Sequence, residues 1–290
     1  MKVSGFTFVR NAVKYDYPVT ESIRSVLPLC DEFIVAVGQS DDATRALVES
    51  VGDPRIRILD TVWDDSLREG GRVLAAETDK AFAGVAADSD WAFYIQADEV
   101  IHERYLPAIR EAMVRYADDR EVEGLLFDYT HFWGAYSYIG TSRRWYRREI
   151  RVIRNDRLIR SWKDAQGFRK EGQKLSVAPV DARVFHYGWV KPPEAQQAKQ
   201  QSFHRYWHSD RWMEKSIPDT DRFDYSGMSY LAPFTGTHPA VMHERVAKQN
   251  WDFHPEPGGD RHSFKEALLH LVETETGWRP GEYRNYRIIR

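Results

Sequence analysis

The stretch Asp90–Glu103, DWAFYIQADEVIHE, joins a short apolar run to two acidic residues with no turn residue between them. An apolar run such as Trp91 to Ile95 is typical of a strand covered on both faces, as in parallel α/β sheets. Open α/β sheets bind their ligands in the crevice outside the carboxyl ends of the strands. Asp98 and Glu99 are therefore predicted to stand at a ligand site.

The composition is that of a soluble globular protein, with 290 residues, 42% of them hydrophobic and 29% charged. The net charge of -3 gives no overall field that would favour nucleic acid, so we expect no nucleic-acid partner. A single cysteine, Cys30, excludes an internal disulfide and fits a reducing compartment. We expect a cytoplasmic protein without a membrane span, because neither a signal peptide nor a run of about 18 apolar residues is present. Peripheral membrane association stays open.

Strand and helix patterns alternate from the first residues to about residue 130, which predicts βαβ units and a mostly parallel sheet flanked by helices. After residue 120 the patterns indicate longer, partly antiparallel strands. The prolines in Lys191–Glu194, KPPE, suit the first turn of a following helix. We therefore expect an α/β, Rossmann-like domain over residues 1–190 and a helical, loop-rich extension over residues 191–290 packed on it.

Four segments resemble glycosyltransferase family 2 in their order and spacing: VRNA from Val9, VAVGQSDDAT from Val35, GGRVLA from Gly70 and FYIQADE from Phe93. The resemblance covers roughly residues 3–190. It implies the GT-A fold and an inverting, metal-dependent transferase of the hexosyltransferase type. Such an enzyme moves a sugar from a nucleotide-diphosphate donor, here favoured as a UDP-sugar, to a hydroxyl of a glycan or lipid-linked acceptor. Bacterial glycan or polysaccharide synthesis is the implied setting.

The resemblance also implies a set of nucleotide-sugar-binding residues. These are Val9, Asn11, Gly38, Ser40, Asp42, Arg72, Gln96 and Asp98. Two positions depart from the family pattern, since Gln96 replaces the first acid of the D-x-D motif and Val37 replaces a base-reading aspartate. The first departure leaves open whether metal binding is lost or modified, and the second leaves the base open.

A divalent cation, Mn²⁺ or Mg²⁺, suits this chemistry because a diphosphate leaving group gains negative charge as the glycosidic bond breaks. Asp98 is the predicted metal ligand. The structural alternative is that Asp98 and Glu99 only cap or start the next helix. The resemblance implies a late histidine in the metal shell, here His186 in VFHYGWV. A packed core histidine is an equal alternative for that residue.

An inverting transfer needs a base within hydrogen-bond reach of the acceptor hydroxyl. The segment SWKDAQGFRKEG offers Asp164 and Glu171. We favour Asp164, because Trp162 and Gly167 flank it, and a solvated loop acid is as plausible for it.

Several features have less specific interpretations. Eight arginines between Arg143 and Arg160 are predicted to form a solvated strand face paired with local acids, in preference to a nucleic-acid or acidic-acceptor surface. His204 and His208, at i and i+4, are predicted as exposed helix histidines rather than zinc ligands.

A nucleotidyltransferase is disfavoured because VRNAVKYDY lacks the glycines of its loop. Gln96 favours the other rival, a non-catalytic nucleotide-sugar-binding protein.

Overall fold

The structure is a computed structural model that describes residues 1–67, 69–216, 220–228, 230–255 and 264–289. The strands are β1 Val3–Val9, β2 Glu32–Gly38, β3 Ile56–Thr61, β4 Trp91–Tyr94, β5 Glu99–Ile101, β6 Gly124–Trp133, β7 Ala135–Gly140, β8 Arg148–Arg154, β9 Ile159–Trp162, β10 Gly167–Lys170, β11 Gln173–Lys174, β12 Ser176–Trp189, β13 Leu231–Pro233 and β14 Arg287–Ile288. The α-helices are α1 Val19–Val26, α2 Thr44–Glu49, α3 Arg72–Ala83, α4 Leu106–Arg115, α5 Pro193–Phe203, α6 Asp210–Ser216, α7 His243–Ala247 and α8 Phe264–Thr276. Short 3-10 helices cover Leu27–Leu29, Glu69–Gly71, Glu103–Tyr105, His204–Tyr206 and Ala240–Met242.

The centre of the large sheet is parallel, in the order β3-β2-β1-β4. Strands β2 and β4 are almost entirely apolar and buried because both faces of the sheet are covered, whereas the edge strand β3 is partly exposed. In β2, Phe33 and Val35 belong to the core that includes α1 and α4, whereas Ile34 and Ala36 belong to the core that includes α3. The predicted α/β class, with helices on both faces of the sheet, is confirmed.

The sheet continues from β4 through antiparallel neighbours, β8, β6, β7 and β13. The long strand β12 runs parallel to β6 and antiparallel to β5. This double pairing sets His186 opposite Glu99 on one side and opposite His131 on the other. A residue far along the chain thereby reaches the acids that follow β4.

A second, small antiparallel sheet contains β9, β10 and β11. The turn between β9 and β10 holds Lys163 and Ala165 at φ 54° and 63°, in the left-handed region on either side of Asp164. Helix α5 begins directly after Pro192, as the prolines predict, and places Lys199 against the end of β12.

Within the described ranges, none of the helices has the length and apolar character to cross a membrane. The helical character expected after residue 190 is present in α5 to α8, and parts of its loops, residues 217–219 and 256–263, lie outside the described residues.

Candidate active site

A cavity of about 380 Å³ opens at the carboxyl ends of β1 and β4, where the sequence predicts a ligand site. Its walls come from the loops after these strands, the β9–β10 turn, the end of β12 and the segment from α5 to His208. The lining side chains include Val9, Asn11, Gln96, Asp98, Asp164 and His186 from the predicted set. Folding thus brings together six of the predicted site residues, and draws the other wall from beyond residue 190.

Asp98, His186 and Lys199 meet on one wall of this cavity. Lys199 Nζ donates to Asp98 Oδ2 at 3.1 Å and to the carbonyl oxygen of Gly188 at 3.0 Å. His186 Nε2 lies 3.8 Å from Asp98 Oδ1. Burial acts to raise the pKa of Asp98, but the Lys199 ammonium group beside it outweighs burial and holds that pKa below its ordinary value. Asp98 is therefore a carboxylate at neutral pH.

The space between Asp98 and His186 suits a small cation. A Cβ built on Gly188 would lie 2.6 Å from His186 Nε2 and 2.7 Å from Asp98 Oδ2, so only glycine leaves this cradle open. Two ligand bonds of about 2.1 Å can span the 3.8 Å between Oδ1 and Nε2. Among the described residues, no group of three or more His, Cys, Asp or Glu side chains is arranged to hold a metal ion. The pair therefore fits a cation that takes the remaining ligands from phosphate and water, as Mg²⁺ commonly does.

Glu99, the second acid of the opening stretch, belongs to the core. Arg151 Nε and Nη2 donate to its two carboxylate oxygens, each at 2.7 Å, and both side chains are fully buried. Tyr129 Oη also donates to Glu99, at 2.8 Å. A charged pair at this depth needs such full satisfaction to be tolerated. The two adjacent acids thus have different surroundings, with Asp98 facing the cavity and Glu99 anchoring the sheet beneath it.

Gln96, which replaces the first acid of the family motif, holds the turn that carries Asp164. Its Nε2 donates to the carbonyl oxygen of Ala165 at 3.2 Å and lies 3.3 Å from Tyr94 Oη. Burial raises the pKa of Asp164, whose side chain lines the cavity. An amide can make this donor contact and an ionised carboxylate cannot. Gln96, the residue that departs from the family motif, therefore has a structural role next to the candidate base.

A second carboxyl group lies behind Asp164. Glu149 is buried, accepts from Gln166 Nε2 at 3.0 Å through Oε1, and leaves Oε2 without a partner among the described atoms. Burial, with Asp164 adding to it, raises the pKa of Glu149 to about 8. Glu149 does not line the cavity, so Asp164 is the member of this pair that faces it.

Three residues predicted to contact the nucleotide, Gly38, Ser40 and Asp42, line a separate hollow at the end of β2. Asn11 joins this hollow to the cavity. Its backbone N–H donates to Ser40 Oγ at 3.0 Å, and its Oδ1 accepts from the Asp41 N–H at 2.9 Å. Asp42 accepts from the N–H of Thr44, the first residue of α2, at 2.9 Å. These side chains fix the two loops at the sheet edge.

Two further predicted residues, Arg72 and Glu171, line neither the cavity nor the hollow at the end of β2. Arg72 is exposed at the start of α3 and lines none of the described cavities. Glu171 is exposed in the tight turn between β10 and β11, where its φ is 50°. Asp164 is therefore the better placed of the two candidate bases.

Sequence reasoning missed the wall that α5 and the following segment provide. Trp63 and Tyr206 pack with ring centroids 5.5 Å apart, Phe203 and Trp207 with centroids 6.2 Å apart, and all four line the cavity. The aromatic run SFHRYWH, residues 202–208 at the end of α5, was the feature of the sequence that could have indicated this wall. Flat apolar rings of this kind can pack on the C–H faces of a sugar or on a base.

His204 and His208 lie half-buried on this cavity wall rather than on an exposed helix. Helix α5 ends at Phe203 and a 3-10 turn follows over His204–Tyr206; the His208 N–H still donates to the His204 carbonyl oxygen at 2.9 Å, and the two ring centroids are 5.6 Å apart. His204 Nε2 contacts Gln200 Oε1 at 2.8 Å, and the His208 ring stacks on Trp212.

The arginine run is only partly the predicted solvated face. Arg151 is buried on Glu99, and Arg154 is buried against backbone carbonyls that include Val122 O and Ala117 O. Arg143 pairs with Glu273, while Arg147 pairs with Glu282. Other members pair with acids as expected, such as Arg148 with Asp128.

No protein-family model matches the chain, and no curated protein matches it. Several solved structures do match it, all at low identity. S. aureus TarS 1-349 with UDP-GlcNAc is 18% identical, over 46% of this chain and 35% of that chain, with a TM-score of 0.34. Another structure of S. aureus TarS 1-349 is 14% identical, over 69% of this chain and 64% of that chain, with a TM-score of 0.39.

Glucosyl-3-phosphoglycerate synthase from Mycobacterium tuberculosis, in complex with Mn²⁺, UDP and phosphoglyceric acid, also matches. It is 17% identical, over 45% of this chain and 43% of that chain, with a TM-score of 0.31. The chain spans between 35% and 64% of the length of these three solved chains.

Proposed function

We propose that this protein is an inverting glycosyltransferase that moves a sugar from a nucleotide-diphosphate donor to a hydroxyl acceptor. One observation carries the proposal. A buried carboxylate, Asp98, stands with His186 and Lys199 at the carboxyl end of a central parallel strand, and a second acid, Asp164, lines the same cavity. Lys199, together with a cation that Asp98 and His186 would hold, suits an anionic leaving group. Asp164 suits proton removal from an alcohol.

The donor diphosphate is placed at Lys199 and the Asp98–His186 pair. Lys199 Nζ donates to one carboxylate and one carbonyl oxygen, and the third N–H of the ammonium group can be given to a phosphate oxygen. Asp98 and His186 would hold the divalent cation, Mn²⁺ or Mg²⁺, and when bound that cation would neutralise charge on the diphosphate. The nucleoside is placed along Val9 and Asn11 toward the hollow at the end of β2.

The chemical step uses Asp164 as the base. The acceptor hydroxyl gives its proton to the Asp164 carboxylate while its oxygen forms a bond to the anomeric carbon. The bond from that carbon to the diphosphate oxygen breaks, and its electron pair leaves with the nucleoside diphosphate. Because the attack comes from the face opposite the leaving group, the anomeric configuration inverts. Charge on the departing diphosphate is stabilised by the Lys199 ammonium group.

The aromatic wall of Trp63, Phe203, Tyr206 and Trp207 is proposed to pack against the sugars and exclude water from the reacting centre. A UDP-sugar donor, a glycan or lipid-linked acceptor and a role in bacterial glycan synthesis follow the family resemblance and are proposed on that basis.

Equilibrium binding tests the donor site separately from turnover. Calorimetric titrations would use UDP, GDP, dTDP and CDP with Mn²⁺, into the wild type, Asp98→Asn and the surface control Asp221→Asn. Binding of at least one nucleotide that Asp98→Asn weakens tenfold or more, and Asp221→Asn leaves unchanged, is the expected result. Equal binding by wild type and Asp98→Asn would place the nucleotide elsewhere and contradict the proposal.

A further inference from the structure

Two buried histidines face each other beneath the cavity. His131 Nδ1 and His186 Nδ1 are 3.0 Å apart, because β6 and β12 pair these residues directly. The other nitrogen of His131, Nε2, lies 2.8 Å from the carbonyl oxygen of Tyr146. The other nitrogen of His186, Nε2, faces Asp98 Oδ1 at 3.8 Å. The two rings thus form a chain from a backbone carbonyl to the candidate cation site.

The carbonyl at one end of this chain fixes the positions of the protons. A carbonyl oxygen only accepts, so the Nε2 of His131 carries a hydrogen and donates it to Tyr146. A neutral His131 then has a lone pair on Nδ1, and His186 must donate its Nδ1–H to it. The Nε2 of a neutral His186 is consequently left with a lone pair that points to Asp98 and the cavity.

The surroundings of both rings favour this neutral arrangement. His131 is buried between the rings of Tyr129 and Trp145, with centroids 5.4 and 4.7 Å away and interplanar angles of 23° and 18°. An imidazolium here would lose its hydration. His186 is buried as well, so the same loss of hydration applies to a charged His186 ring.

The geometry points to His131 as a positioning residue that holds His186 in the Nδ1–H tautomer, so that His186 offers a lone pair to a divalent cation shared with Asp98. His186 is thereby an acceptor at the site and not a proton donor. Ligating histidines commonly have their other ring nitrogen bonded in this way, and losing that partner typically costs 10- to 100-fold in metal affinity. The inference rests on the proposed function only for the identity of the cation site.

Nitrogen-15 NMR of histidine-labelled, metal-free protein tests the inference without any donor. Variants that lack each histidine would assign the signals. The wild type is expected to show His131 protonated on Nε2 and His186 protonated on Nδ1. In His131→Phe, which keeps an aromatic ring but removes the acceptor, His186 is expected to gain Nε2–H signal. His131→Asn, which restores an acceptor near the Nδ1 position, is expected to return His186 toward the wild-type tautomer.

Affinity for Mn²⁺ in the presence of UDP, followed by the electron paramagnetic resonance of free Mn²⁺, gives the second readout. We expect His131→Phe to weaken it 10- to 100-fold and His131→Asn to recover most of that loss. His102→Phe is the matched control, because His102 is also buried and bonds Thr237 Oγ1 at 2.9 Å away from the cavity lining.

Two results would overturn the inference. One is a wild-type His186 protonated on Nε2 alone. The other is a folded His131→Phe protein, with cooperative unfolding like that of His102→Phe, that binds Mn²⁺ and UDP as well as the wild type does. If the wild type binds no nucleotide, the proposed function fails, and the tautomers in the wild type and His131→Phe still decide the role of His131.

Discussion

Gly188→Ala perturbs the candidate cation site with one methyl group. The added Cβ would lie 2.6 Å from His186 Nε2 and 2.7 Å from Asp98 Oδ2, about 0.8 and 0.7 Å short of the 3.4 Å at which ordinary contact begins. Gly188 has no positive φ, so the backbone itself accepts alanine. Both ligands must therefore move apart or turn, while the Lys199 contact to the carbonyl of residue 188 can persist.

A shift approaching 1 Å at a reacting centre can cost about 10²-fold in rate, whereas overpacking of this size costs about 1–3 kcal/mol of stability. The assay is kcat/KM for donor turnover, beside the affinity for Mn²⁺ with UDP and the unfolding midpoint. Gly227→Ala is the matched control, because its Cβ would meet nothing within 4 Å and Gly227 is exposed. A folded Gly188→Ala protein with the turnover and Mn²⁺ affinity of Gly227→Ala would refute the placement of the site.

Three further changes have expected outcomes. Lys199→Met removes a charged donor and should weaken UDP binding about tenfold, measured by calorimetry; unchanged affinity would remove Lys199 from the donor site. Asp164→Asn should lower kcat about 10²- to 10⁴-fold with UDP affinity kept, measured by steady-state kinetics; an undiminished kcat would exclude Asp164 as the base. Because burial raises the folded-state pKa of Glu149 to about 8 from 4.5, the wild type should lose stability as pH rises between these values. Glu149→Gln should therefore gain stability over the wild type from pH 5.5 to 8.5 in urea unfolding, and a constant difference would contradict the assignment.

Much of the fold could be predicted because its strands are local apolar runs. The runs VSGFTFV and EFIVAVG coincide with β1 and β2, and the strand WAFY ends at Tyr94, four residues before Asp98. Parallel strands that end at one edge of a sheet bring their following residues together. For that reason Asn11, Gln96 and Asp98 could be placed at one site from the chain alone.

The remaining parts of the site depend on pairings that local patterns do not carry. Glu99 and Arg151 are 52 positions apart, and only the register of β4, β8 and β12 makes them neighbours. Lys199 reaches Asp98 across 101 positions because α5 packs back on the sheet, so a boundary near residue 190 divides the site. The tautomer of His186 depends likewise on His131, which no motif in the sequence singles out.

The most direct test of the central claim is release of nucleoside diphosphate from UDP-, GDP-, dTDP- and CDP-sugars, by the wild type and Asp98→Ala, with Mn²⁺ or with EDTA. The wild type is expected to turn over at least one donor, and Asp98→Ala is expected to lose this turnover by 10²-fold or more. Equal turnover by the two proteins, or a wild type that neither binds nor turns over any of these donors, would contradict it.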